Sequence, residues 1–283
     1  MKYIGFIDYF IDEWHADNYP EFIRQSKLGD NFDVLLAWEE TTPPGCKSLD
    51  QWCAEQKVGK AGSIEEVIEK CDCLIVLSPD NVERHEDLAD LPLRSGKPVY
   101  VDKPFAPTLE AARRMFAKAE QFGTPLMSTS ALRYETAIKK FLDEQAGKAI
   151  HTVLTRGGGR FEEYAVHQLE MLVMVLGTGA RRVMQCGNPK SPIMMIDYAD
   201  GRRGSISQLA NNPMGVSVQF GNDQAVSIEG LQDFFPGFID SMLGFLDTGV
   251  SQVPMEQTLE VVALLEAGIA ALKSPDTWVS VPS

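Results

Sequence analysis

Five short apolar runs in the first 130 residues constrain this chain more than any other feature of it. They are IGFI (4–7), FDVLLAW (32–38), CLIVLSP (73–79), VYVD (99–102) and PLMSTS (125–130), and the segments between them are helix-like. Apolar runs of this length, separated by helices, indicate parallel strands covered on both faces. HADNYPEFIRQSK reads as a helix whose regular part starts near Pro20. SIEEVIEKC (63–71) places Ser63 and Glu66 at capping-box spacing. TLEAARRMFAKAEQFG (108–123) runs from an N-cap Thr108 to Gly123 after the last turn. The alternation predicts an α/β, doubly wound, Rossmann-like domain over residues 1–130, with TTPPGCKS (41–48) as a turn cluster inside it.

Past that point the pattern changes. AIHTVLTRGG, RRVMQC, IMMIDYAD, GRRGSISQLA, GVSVQFG and QAVSIEG are strand-like, and ADGRRG and GNDQ read as hairpin turns. Helices are predicted over 131–145 and 163–177, and in FFPGFIDSMLGFLDTG and MEQTLEVVALLEAGIAALKS. Residues 131–283 are expected to form an α+β domain with a mainly antiparallel sheet.

Charge narrows the partners. A net charge of −14 repels phosphate backbones and anionic membrane surfaces, so no nucleic acid and no membrane is expected. No apolar run approaches the ~20 residues a span needs. The amino terminus carries one lysine and then acidic residues, unlike a secretory signal, which points to the cytoplasm. The five cysteines are an odd number without such a signal, so no disulfide framework is expected. Cys71 and Cys73, at the start of an apolar run, read as thiols buried as small hydrophobes, and no metal site is expected.

Two stretches bear on chemistry. A dinucleotide cradle uses Gly-x-Gly-x-x-Gly between the first strand and helix, because glycines let backbone N–H groups reach the pyrophosphate. DYFIDE (8–13) has none: Asp8, Phe10, Asp12 and Glu13 stand there, and the acids put negative charge where phosphates would sit. The loop reads either as a simple connection that packs Tyr9 and Phe10 inward, or as a cofactor loop of unusual form. The second stretch is GKPVYVDKP (96–104). It sets Lys103, before Pro104, at the carboxyl end of a strand, where open α/β sheets place ligands, so the lysine is expected in the crevice between the domains. In EYAVHQLEMLVMVLG, Glu163 and His167 are four apart and share a helix face.

GKPVYVDKP with its following helix and PLMSTSALRY, SIEEVIEKCDCLIVLSP, LSPDNVERHEDLA, HADNYP and the Glu163–His167–Glu170–Gly177 register together resemble one family. It is the glucose–fructose oxidoreductase / inositol dehydrogenase / rhizopine catabolism family of NAD(P)-dependent oxidoreductases, and the resemblance spans residues 1 to about 180. The chain departs from it in the missing glycine loop, in Asp102 for a glutamate, and in two extra residues before His85. Trp38, followed by Glu39 and Glu40, stands where an acid would bind the adenosine ribose, and Glu163 replaces an aspartate.

The resemblance implies NAD or NADP beside Asp8, Phe10, Trp38, Glu39, Pro79, His85 and Asp102. It implies oxidation or reduction of a sugar, polyol or related hydroxy compound. His167 would be the base, Glu163 would orient it, and Lys103 would bind the substrate oxygen. By their place in the sequence Tyr134, Arg133, Arg156 and Arg160 flank the predicted cleft and are expected to hold a polar substrate, and apolar IMMI (193–196) and VSVQF (216–220) would serve a homo-oligomer. A cofactor-free binding or regulatory protein, and a lyase or hydrolase reusing the Lys/His/Glu cluster, stay open beside this. RGGGR (156–160) reads as a phosphate cradle or as a flexible loop.

Overall fold

The computed structural model describes residues 1–221 and 224–283 in two compact units, 1–129 with 239–254 and 130–238 with 255–283. In the first unit β1 (Lys2–Asp8), β2 (Phe32–Glu39), β3 (Gly59–Lys60), β4 (Cys73–Val76), β5 (Val99–Val101) and β6 (Leu126–Met127) form one parallel sheet. Its order is β3-β2-β1-β4-β5-β6, so the chain reverses direction across the sheet between β1 and β4. Sheets of this type take ligands at the carboxyl ends beside that reversal. Residues 4–8 of β1 and all of β4 are buried, which is why both read as apolar runs. Asp8 is the one charged residue among them.

The helices are α1 (Trp14–Gln25), α2 (Leu49–Gln56), α3 (Ile64–Lys70), α4 (His85–Leu88) and α5 (Leu109–Phe122). α1 starts ahead of the predicted position. Glu13 caps it, and Pro20 lies within it on the buried face, with Ala16, Tyr19 and Ile23. An interior proline removes one helix hydrogen bond, and burial of this face outweighs that loss. α2 follows the TTPPGCKS turn and opens on a Ser48–Gln51 capping box. α3 packs closely on β1 at Gly5, where a Cβ would lie 2.2 Å from Val67 Cγ1.

Two further helices, α8 (Phe235–Thr248) and α9 (Met255–Ala271), come late in the chain. Residues 239–254 belong with the first unit, where Ser26 Oγ donates to Asp240 at 2.7 Å and Lys2 Nζ donates to the Asp247 carbonyl at 2.6 Å. The division drawn at residue 130 from the sequence had left this returning segment in the second domain.

The second unit has β7 (Ile150–Gly157), β8 (Ala180–Asn188), β9 (Ser191–Tyr198), β10 (Arg203–Gln208), β11 (Gly215–Phe220), β12 (Ala225–Glu229) and β13 (Val279–Ser280). Their order is β12-β11-β7-β10-β9-β8-β13, antiparallel throughout except between β7 and β10. α7 (Phe161–Leu176) and α9 pack on one face: Gln185 Nε2 donates to the Gly268 carbonyl, and a Cβ on Gly268 would come within 2.8 Å of Phe161. Met194 and Ile196 are buried, whereas Ile193 and Met195, on the opposite face, are partly exposed. The helix predicted over 131–145 is broken into a short 3-10 turn, Ala131–Tyr134, and α6 (Thr136–Glu144). The hairpin expected at GNDQ has its turn residues Asn222 and Asp223 outside the described residues. No helix among those residues is long and apolar enough to cross a membrane.

Candidate functional site

The loop from β1 to α1 ends on Glu13. Its carboxyl group accepts from the His15 N–H at 2.6 Å and from the Ala16 N–H, so it takes the first free donors of α1. A helix N-terminus is an anion site because those donors and the helix dipole face outward. Here the chain supplies its own carboxyl group, and Glu13 is only 7% exposed. Burial pushes its carboxyl up to about 7, against the pull of His15 and the two N–H groups.

Asp8, at the carboxyl end of β1, is fully buried. The N–H groups of Tyr9 and Phe10 face it, but among the described residues neither oxygen has a partner at hydrogen-bond geometry. Burial first, and the Glu13 charge second, raise this carboxyl well above its ordinary range. Asp102, just after β5, is also fully buried yet behaves oppositely. Burial alone would raise it, but His15, with Nδ1 at 2.5 Å, and the Lys103 charge together hold it well below the usual carboxylate range. The Tyr100 hydroxyl lies 3.3 Å from Asp102, and the His15 ring stacks on Tyr19 at 5.0 Å.

The rest of the loop is tied down as well. Glu39, at the end of β2, accepts from the Ile11 N–H at 2.9 Å and the Leu49 N–H at 3.2 Å. Asp12 accepts from the Lys47 N–H at 2.8 Å. Ile11 is fully buried, whereas Tyr9 and Phe10, expected to point inward, are only half-buried. Phosphates need free N–H donors and a close backbone, and a ribose needs a free carboxylate at the β2 end. A dinucleotide seated through a glycine loop therefore does not fit these residues. Beside the loop a cavity of about 320 Å³ is lined by Trp38, Glu39, Glu40, Thr42, Asp50 and Lys60, among others.

The loops after β4 and β5 carry the other residues placed by the resemblance. Ser78 holds a left-handed φ of 78°, an uncommon conformation for a residue other than glycine, and Pro79 follows it half-buried. His85 is fully buried, with Nε2 3.0 Å from the Ser78 carbonyl and Nδ1 3.1 Å from the Phe105 carbonyl. Burial lowers its imidazole below the ordinary value. From there it straps two loops together rather than offering a nitrogen to a ligand. Lys103 is half-buried, beside Asp102 and joined to Pro104 by a cis peptide bond.

In the second unit His167 lies half-buried on α7, with Nδ1 2.7 Å from the Ser130 hydroxyl. Glu163 is exposed and pairs with Arg160 at 3.4 Å, so the hydroxyl of Ser130 orients the ring where the carboxylate was expected to. Arg133 is buried, its Nε donating to Glu170 at 2.7 Å and its Nη1 to Gln257 at 2.6 Å. Its guanidinium is thus committed within the fold. Tyr134 is buried, with its ring 5.8 Å from that of Phe238. Arg156 is partly exposed and pairs with Glu229 at 2.8 Å. The glycines of RGGGR answer to close packing: a Cβ on Gly157 would meet Met214 at 2.3 Å, and one on Gly159, where φ is 89°, would meet Tyr164 at 2.3 Å. Among the described residues no group of His, Cys, Asp and Glu could hold a metal ion, and all five cysteines are free.

Sequence reasoning missed the His15–Asp102 and Ser130–His167 pairs, because neither has a fixed spacing. The run of acids in DYFIDE was the available signal for the Glu13 cap.

Comparison with known proteins places this geometry. The model of an oxidoreductase family with an NAD-binding Rossmann fold matches residues 37–130. Protein y4oX of Sinorhizobium fredii is 24% identical over 181 residues, 53% of this chain, and the match spans about half (49%) of that relative's length. A probable dehydrogenase from Thermotoga maritima is similar in fold at a TM-score of 0.80 and 15% identity, over 99% of this chain and 98% of that one. The WlbA dehydrogenase from Bordetella pertussis, solved in complex with NADH and UDP-GlcNAcA, is similar at a TM-score of 0.79 and 16% identity, over 99% of each chain.

Proposed function

From the match of residues 37–130 to an oxidoreductase family with an NAD-binding Rossmann fold, we propose that the chain is a member of the glucose–fructose oxidoreductase / inositol dehydrogenase / rhizopine catabolism family and acts on a sugar, polyol or related hydroxylated small molecule by acid–base chemistry. His167 takes a proton from the substrate, and Lys103 binds or polarises a substrate oxygen. The observation that supports this reading is the 2.7 Å tie between His167 Nδ1 and the Ser130 hydroxyl. In the tautomer this reading requires, Nδ1–H donates to the Ser130 hydroxyl and Nε2 is the atom that accepts the proton. Arg156, partly exposed on β7, is the basic group left to meet a polar substrate.

Of the two forms this chemistry takes, NAD(P)-dependent oxidation has the support of the family and of the WlbA relative that holds NADH. The cofactor-free form, a lyase or hydrolase without net redox change, has the support of the Glu13 carboxyl on the α1 donors, and we take it as the better reading. A cytoplasmic location, and a homo-oligomer through the sheet face that carries Ile193 and Met195, belong to the same proposal.

The test is incubation with a panel of aldoses, sugar acids and inositols in heavy water, with and without NAD⁺ or NADP⁺, followed by NMR. Deuterium uptake or product without added dinucleotide is expected. Both should fall at least ~100-fold, the usual weight of a general base, in His167→Ala and Lys103→Ala with unchanged circular dichroism. Product that forms only with a dinucleotide overturns the cofactor-free form, and full activity in either variant overturns the site.

A further inference from the structure

We propose that the pyrophosphate seat of this Rossmann unit is filled by the chain itself, with the Glu13 carboxyl standing on the α1 donors where a dinucleotide phosphate would stand. The inference concerns binding alone and holds whatever reaction His167 performs. Three observations converge on it. Glu13 holds the His15 and Ala16 N–H groups, which are the donors an incoming phosphate would need. Glu39, the acid at the end of β2, is bound to the Ile11 and Leu49 N–H groups, so a ribose finds its partner already engaged. Asp102, fully buried after β5, keeps its negative charge close enough to act on Glu13, and a phosphate at this helix end would meet the same charge.

The replacements also support one another, which marks the closed loop as a built arrangement. Glu13 caps α1, Glu39 and Asp12 fasten the loop at Ile11 and Lys47, and His15 reaches across to Asp102. To admit a dinucleotide, the loop would have to release all of these contacts and expose Ile11, which is fully buried. A surface loop that merely lacked glycine would have no such internal contacts to give up.

Fluorescence titration of the full-length protein with NAD⁺, NADH, NADP⁺ and NADPH tests the inference, with Trp14 beside Glu13 as the reporter. No saturable binding is expected below about 1 mM. In the triple variant Asp8→Gly/Phe10→Gly/Glu13→Gly, NADH affinity should rise at least tenfold above the wild-type limit. Micromolar binding by the wild type overturns the inference, as does a folded triple variant that gains nothing. If the triple variant does not fold, the wild-type titration decides alone: a dissociation constant above about 1 mM upholds the inference, and a tighter one overturns it.

Discussion

Glu13 carries two opposed duties, as a helix cap that favours its charged form and as a buried carboxyl that disfavours it. Burial prevails, and the group sits at about 7 against 4.5 in an open chain. Between those values the folded state holds a proton that the unfolded state has released, so Glu13 makes stability fall as pH rises through that window. The span corresponds to about 3 kcal/mol, and Asp8, raised by burial and by Glu13, acts in the same direction. Asp102 acts the other way, because its stabilisation is present above its ordinary value and is lost as the medium turns acid. In Glu13→Gln the amide oxygen still caps the helix but the titration is gone. Its melting temperature, measured against the wild type from about pH 5 to about pH 8, should therefore gain on the wild type as pH rises. Parallel curves would show that Glu13 does not titrate in this range.

At the scale of elements, Arg133 joins the Ala131–Tyr134 turn to α7 through Glu170 and to α9 through Gln257. Arg133→Met strands a buried carboxylate and should cost about 3–5 kcal/mol in denaturant unfolding. Arg133→Met/Glu170→Met should recover most of that. A variant with unchanged stability and a raised KM would return Arg133 to the substrate role expected from its place beside the predicted cleft. The elements themselves were largely legible where one physical signal fixed them. Thr108 and Gly123 bracket α5 as expected, the former through its hydroxyl to the Ala111 N–H and the latter through its left-handed backbone. α1 was misplaced because Pro20 is a strong local signal, whereas a capping Glu13 is a weak one that tertiary burial made decisive. The 131–145 helix broke because Glu135 both caps α6 and accepts from the Asp233 N–H, a contact that no local pattern carries.

At the scale of the whole molecule, the parallel and antiparallel sheets were readable because burial on two faces and on one face leave different runs in the sequence. The return of residues 239–254 to the first unit was not, since the contacts of Asp240 with Ser26 and of Asp247 with Lys2 join residues far apart in the chain. The candidate site divides in the same way. Lys103 at a strand end and His167 on a helix follow from local pattern, while their surroundings, Ser130 at the ring and the His15–Asp102 pair next to the lysine, are set only by folding. The proposal is that this Rossmann unit has its pyrophosphate seat filled by the Glu13 carboxyl on the α1 donors. A crystal structure of the protein grown with excess NADH tests that most directly. The expected density shows the Glu13 carboxyl on the His15 and Ala16 N–H groups and no dinucleotide over α1. A pyrophosphate on those donors, with Glu13 turned away, would contradict the account.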